Sequence, residues 1–175
     1  LMTYTKITLG VNMFYRLFEA LDKKSPFARA EAHCDVPCGI YDPSTAQISA
    51  LTVVRMMDLM AAESEAHHEH SAEHVNSMAR YIEVKEEHAE KAKQEVRIIW
   101  GDYFKKDKHP NVDDLVHKIM QLGSSSRQTA NRENGVAFVE AINEFSAIFW
   151  ETKGVAIKKA KAPYAPALEM VYPDL

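Results

Sequence analysis

The 175 residues contain two cysteines, Cys34 and Cys38, four positions apart, and His33 directly precedes the first of them. Two thiolates at that spacing can close on one soft metal ion if the chain between them curls. Pro37 and Gly39, on either side of Cys38, favour such a turn. Spacing alone leaves three chemistries open: a two-thiolate metal hook, a redox pair or a local disulfide. A disulfide here would close so short a loop that it would constrain the unfolded chain only slightly. The pattern is Cys-x-x-x-Cys, not the Cys-x-x-Cys of thioredoxin-like sites. No second cysteine pair is present to complete a structural zinc site.

The full stretch reads His33-Cys34-Asp35-Val36-Pro37-Cys38-Gly39-Ile40-Tyr41-Asp42-Pro43. It resembles the nickel hook of the nickel-containing superoxide dismutases. Two later blocks resemble family segments in the family's order: Trp100-Gly101-Asp102-Tyr103-Phe104-Lys105 and Ile148-Phe149-Trp150-Glu151-Thr152-Lys153. The resemblance implies a leader cut directly before His33 and one nickel ion per subunit. The implied ligands are the Cys34 and Cys38 thiolates, the freed α-amine of His33 and the deprotonated backbone nitrogen of Cys34. The His33 imidazole would join as an axial ligand when the nickel is oxidised. Nitrogen and sulfur donors in a square plane suit Ni(II). Asp35 and Tyr41 would shape the open face, with Tyr103 supporting Tyr41. The implied activity converts superoxide to oxygen and hydrogen peroxide by Ni(II)/Ni(III) cycling, in a bacterial cytoplasmic homohexamer. A different class of reading keeps the same hook in a non-enzymatic bundle that binds nickel or copper. A third makes Cys34–Cys38 a disulfide in a helical interaction module.

The sequence departs from the family in one respect. Members of the family hold the axial imidazole with a Glu on the first helix and an Arg on the second, and rough alignment places Ser49 and His88 there. Either these two form a substitute contact, or a carboxylate such as Glu86 or Glu87 takes over. Partners of this kind tune a ligand's orientation and basicity.

The elements that must carry these residues follow from periodicity. Asp42-Pro43-Ser44 supplies helix start signals, and Ala50, Val53, Val54, Met57 and Met60 then recur at helical spacing. A second helical stretch runs from about Glu63 to Ile99, its first third open to being a loop or a separate turn. A third runs from Val112 to Leu122 and is expected to stop at Gly123-Ser124-Ser125-Ser126. A fourth runs from about Glu133 to Lys153, with Gly154 as its stop. No segment shows sustained strand alternation. The expected fold is all-α, a four-helix bundle. Its parts would be a leader over 1–32 removed by a processing protease, a hook over 33–41, a bundle over about 43–153 and a tail over 154–175. Met2 and Met13 are both possible starts. The leader has no apolar region of about 7–15 residues, so it reads as a cytoplasmic leader and not a secretory signal. Pro163, Pro166 and Pro173 keep the tail from being helical throughout. It is expected to lie as an extended arm on its own bundle or a neighbour's. Its apolar residues Tyr164, Leu168, Met170, Val171 and Tyr172 favour a homo-oligomer.

Two further features remain. Glu63, His67, His70 and His74 follow helical spacing and could share one face, which is a possible zinc or nickel site. A solvated polar stretch is the simpler account of them, since a His-rich tract is by itself only compositional evidence. The formal net charge is −4, which gives no indication of a nucleic-acid partner. No run approaches the roughly 18 apolar residues of a membrane span. Residues 1–32 carry +2 and the remainder −6, so the overall field repels the superoxide anion and any attraction must be local. Lys105, Lys106 and Lys108 are the candidates for a positive rim.

Overall fold

A computed structural model describes residues 39–66 and 71–175. The expected leader, His33, Cys34, Asp35 and Cys38, and the tract His67-His68-Glu69-His70 lie outside them. Four helices follow in order: α1 (Ser44–Ala66), α2 (Ala72–Asp102), α3 (Val112–Gln128) and α4 (Arg132–Thr152), then strands β1 (Ile157–Lys161) and β2 (Glu169–Pro173). Each helix packs on the next and α4 returns against α1, the up-down-up-down arrangement that short connections favour. The core lies along the bundle axis. Val53 and Val54 of α1, Val96 and Ile99 of α2, Ile119 of α3, and Phe138, Ile142, Phe145 and Phe149 of α4 are all buried there. The expected helical fold is therefore the observed one. No helix among the described residues is long and apolar enough to cross a membrane.

The helix ends differ from the sequence reading in two places. The stretch expected from Glu63 to Ile99 is divided. Glu63 lies in the last turn of α1, which ends at Ala66, and a new helix begins after Ser71, whose side chain accepts from the His74 backbone N–H at 3.1 Å. A serine at that position satisfies one of the amide donors that a helix start leaves unpaired. Glu63 and His74 thus belong to different helices and do not share one helical face. They meet across the connection instead, His74 Nδ1 lying 3.3 Å from Glu63 Oε1.

The expected stop at Gly123-Ser124-Ser125-Ser126 is also corrected, because α3 runs through it to Gln128. Gly123 faces the Lys93 side chain and Phe138 so closely that a Cβ would lie 2.8 Å from Lys93 Cγ. Its missing side chain lets α2 and α4 approach. The Ser124 hydroxyl donates to the Met120 carbonyl and Ser126 is buried. The actual end of α3 is held by Lys85 of α2. This lysine is only 3% exposed, and its ammonium donates to the carbonyls of Ser126, Arg127 and Thr129. A cation at a helix C-terminus satisfies the last carbonyls and the helix dipole together.

Gly154 does end α4. Its φ of +69° is the left-handed conformation, and its N–H donates to the Glu151 carbonyl, as glycine commonly does just past a helix. The tail beyond is a β-hairpin and not a simple arm. β1 and β2 pair antiparallel, with Lys159 opposite Val171. Met170 and Val171 of β2 are buried, so this apolar surface is covered within one chain. The alternation was hard to read because β1, Ile-Lys-Lys-Ala-Lys, is exposed at every position.

Candidate metal centre

The described part of the site begins at Gly39, whose φ of +71° is the left-handed conformation, with no atom within 4 Å of where a Cβ would stand. The glycine is needed for the backbone turn and not for space. Two residues on, Tyr41 packs against the bundle, its ring centroid 6.0 Å from that of Tyr103. Asp42 then accepts from the Ser44 N–H at 2.8 Å and starts α1, while Pro43 is buried. The expected start signals work as read.

Tyr103 closes α2 and sits among rings, 5.1 Å from Phe149 and 5.2 Å from Phe104 by centroid. Its hydroxyl lies 2.7 Å from Thr152 Oγ1. Thr152 donates its single proton to the Phe149 carbonyl at 2.6 Å, so Tyr103 is the donor in this pair. The phenol oxygen of Tyr103 keeps its acceptor capacity. Lys153 places its ammonium 4.4 Å from the centroid of the same ring, a cation–π arrangement. Tyr41, Tyr103 and Lys153 therefore form one cluster at the end of the bundle where α1 begins and α2 and α4 end.

The other sequence candidates fall into two groups. Trp100 is not a core aromatic. It is 38% exposed, and its indole N–H donates to Asp113 Oδ1 at 2.9 Å, tying the end of α2 to the first turn of α3. Lys105, Lys106 and Lys108 are exposed on the connection between those helices, and Lys106 lies 3.9 Å from Asp113. Ser49 is buried and donates to the Thr45 carbonyl, while His88 Nδ1 lies 2.9 Å from the Val84 carbonyl. The hydrogen bonds these two make among the described residues are each within their own helix. Glu86 is committed elsewhere, to Arg127 at 2.8 Å and Lys85 at 3.2 Å. Burial pushes its carboxyl up, but hydrogen bonds from Arg127 and Lys85 outweigh that and hold it below the usual carboxylate range. Glu87 is exposed. Thr152 and Lys153 are the members of the cluster to which sequence reasoning gave no role, although both stand in the block Ile148–Lys153 that carried the resemblance.

Among the described residues no group of three or more His, Cys, Asp or Glu side chains is placed to hold a metal ion. The donor set in the chain leading into α1 is different: two thiols, an imidazole and backbone nitrogens in six residues. Soft sulfur with nitrogen fits nickel or copper and does not fit a hard cation such as magnesium or calcium.

A helical bundle whose cysteines all lie in the chain leading into its first helix, with a tyrosine–lysine cluster where that helix starts, defines a class of small metalloproteins. The profile of the family described as nickel-containing superoxide dismutase matches residues 28–153, and the chain belongs to that family. The nickel superoxide dismutase of Streptomyces coelicolor is 33% identical over 144 residues, covering 81% of this chain and 98% of that protein. The Streptomyces seoulensis protein matches to the same extent. Among solved structures, a native nickel superoxide dismutase is 33% identical with a TM-score of 0.60, covering 69% of this chain and 99% of that one. Another, with nickel ligation corresponding to the oxidised state, is 32% identical with a TM-score of 0.61, covering 70% and 99%.

Proposed function

We propose that this protein is a superoxide dismutase whose nickel is held by the chain's new N-terminus after residues 1–32 are removed. The observation that carries the reading is the segment His33–Pro43, with its donor set inside the matched span 28–153. His33 would hold the metal through its α-amine and imidazole, Cys34 through its thiolate and backbone nitrogen, and Cys38 through its thiolate. When bound, nickel supplies a one-electron Ni(II)/Ni(III) couple for converting superoxide to oxygen in one half-cycle and, with two protons, to hydrogen peroxide in the other. Support for the couple comes from relatives solved with ligation corresponding to the oxidised state and to partial reduction.

The remaining residues bind and orient. Asp35 and Tyr41 shape the open face. Tyr103, donating to Thr152, presents an acceptor oxygen behind Tyr41. Lys153 supplies local positive potential against the net −6 carried by residues 33–175. Copies of the chain assemble, as a hexamer by family likeness, and the enzyme works in a bacterial cytoplasm.

The role of the α-amine decides the test. In the uncut chain the His33 nitrogen is an amide bonded to Ala32 and a poor donor. Cutting there creates an amine with an ordinary pKa of about 7.7–8.0, from which a metal can displace the proton near neutral pH. Two versions are prepared, one beginning at His33 and one retaining Ala32, and Ni(II) is added under reducing conditions. The first should bind one nickel per chain, show a rhombic Ni(III) resonance once oxidised, and remove superoxide. The second should do none of these. Equal activity in both would exclude the α-amine as a required ligand.

A further inference from the structure

The matched family segment ends at Lys153, and the hairpin of β1 and β2 lies entirely beyond it. Its mode of attachment is specific. The backbone bonds from Ala162 N to Leu168 O and from Asp174 N to Ala156 O flank the ladder. They turn the even-numbered residues of β2 toward β1, so the backbone groups of Glu169 and Val171 point to the other edge. Side-chain amides of the bundle meet that edge. Asn143 of α4 donates through Nδ2 to the Glu169 carbonyl at 2.8 Å and accepts from the Val171 N–H at 3.3 Å. Gln47 of α1 donates through Nε2 to the Val171 carbonyl and to Asn143 Oδ1, both at 2.9 Å. Pro173, the next outward residue, has no N–H to satisfy. Two side chains thus do for β2 what a third strand would do.

Gln47 is the informative member. It is 5% exposed and lies one turn into α1, and its own N–H donates to the carbonyl of the buried Pro43. Asp42 and Ser44 face Tyr172 and Pro173 of β2 and Trp150 of α4 across a cavity of only about 110 Å³. Tyr172 and Tyr41 both pack against the same core. The hairpin therefore lies beside the residues by which the hook joins α1.

We propose that the C-terminal hairpin is a positioning element for the metal site, bracing the Tyr41–Ser44 junction through Gln47 and Asn143. The inference rests on the nickel reading above. Removing Gln47 strands the Val171 carbonyl and cuts the hairpin's amide link to α1, while removing Asn143 strands the Glu169 carbonyl and the Val171 N–H and takes away the acceptor that orients Gln47. Groups that orient a metal's ligands from outside characteristically change its retention by about tenfold or more, and this brace acts on the ligand-bearing chain through its junction with α1.

The test uses Gln47→Ala and Asn143→Ala in the full protein, processed at His33 where nickel is measured. Ile119→Ala, in the core of α3, serves as a control that lowers the melting temperature at least as much. Two quantities are read at a temperature where circular dichroism shows every variant folded. One is the rate of nickel release to a chelator. The other is chymotryptic cleavage after Tyr41 in nickel-free protein, followed as the fragment beginning at Asp42. Both should rise about tenfold in the two amide variants and stay near wild type in Ile119→Ala. Cleavage and release unchanged in the amide variants would overturn the proposal. So would an equal rise in Ile119→Ala, which would make the hairpin a general stabiliser. A wild-type protein that holds no nickel would instead refute the nickel reading, and the cleavage assay would still decide the role of the hairpin.

Discussion

The ammonium of Lys153, 4.4 Å from the centre of the Tyr103 ring, puts a positive charge beside the Tyr41–Tyr103 pair, where residues 33–175 carry a net −6. Local potential of this kind raises the encounter rate with a small anion and is screened by salt. Lys153→Met should therefore lower kcat/KM for superoxide by about threefold at low ionic strength, with the difference closing as salt is added. Pulse radiolysis across a salt series measures this, and an unchanged low-salt value would remove Lys153 from the site. Cys34→Ser and Cys38→Ser should each abolish nickel binding and activity while leaving the helical circular dichroism intact, because the four helices of the described residues pack on one another through side chains of their own. Normal turnover in either would break the assignment. The two kinds of residue differ in how legible they were. Thiols and an imidazole in six positions left a metal hook, a redox pair and a disulfide open, and only the resemblance carried by the full stretch His33–Pro43 singled out nickel. A lysine after the last turn of a helix has an ordinary explanation in the helix dipole, and only its packing on Tyr103 reveals another role.

Lys85 shows what periodicity hides within an element. It sits in the run Lys-Glu-Glu-His-Ala-Glu-Lys-Ala-Lys, which reads as a solvated face of α2, yet it is 3% exposed and caps the end of α3. Lys85→Met would leave three carbonyls without their donor and should cost about 2–3 kcal/mol of stability, read by urea unfolding. A change within error of zero would mean that water replaces the ammonium fully. Around it, Arg127 bonds Glu86 at 2.8 Å and Glu90 at 3.0 Å. At Glu90, as at Glu86, burial raises the carboxyl pKa but the hydrogen bonds, here from Arg97 and Lys93, prevail and lower it. A carboxyl held lower in the folded than in the unfolded state stabilises folding above its unfolded pKa, about 4.3 for glutamate, and ceases to do so as pH falls through the folded value. Stability should therefore decline below about pH 4, and Arg127→Met should make that decline shallower. Equal acid sensitivity in the two proteins would refute the assignment of the effect to this cluster. The same element explains the misread end of α3. Gly-Ser-Ser-Ser has the composition of a turn, but Gly123 is there for the close approach of Lys93 and Phe138. Which of these two reasons applies depends on a neighbour remote in sequence, so the local pattern could not decide it.

For the whole molecule, the bundle was legible from the spacing of apolar residues along four helices, whereas the hairpin depends on amides from α1 and α4 that no local pattern couples to β2. This changes the grounds for expecting assembly. Met170 and Val171, part of the original reason, are buried on their own chain. Among the exposed apolar side chains of the described residues, Ile48 at 53% and Tyr164 at 50% stand together on the rim of the cavity near the hook junction. Apolar side chains grouped in this way, unlike singly scattered ones, mark contact surfaces. In a homo-oligomer with closed symmetry the same patch recurs on every copy, so one substitution acts at every equivalent contact. Ile48 is 53% exposed on α1, so Ile48→Glu should leave the fold intact. Placing a carboxylate in each interface should shift the hexamer expected by family likeness toward smaller species, the more so when combined with Tyr164→Glu. Light scattering coupled to size exclusion at micromolar concentration measures both. A wild-type monomer would refute assembly, and a full-sized oligomer in the double variant would place the interface on another face of the bundle.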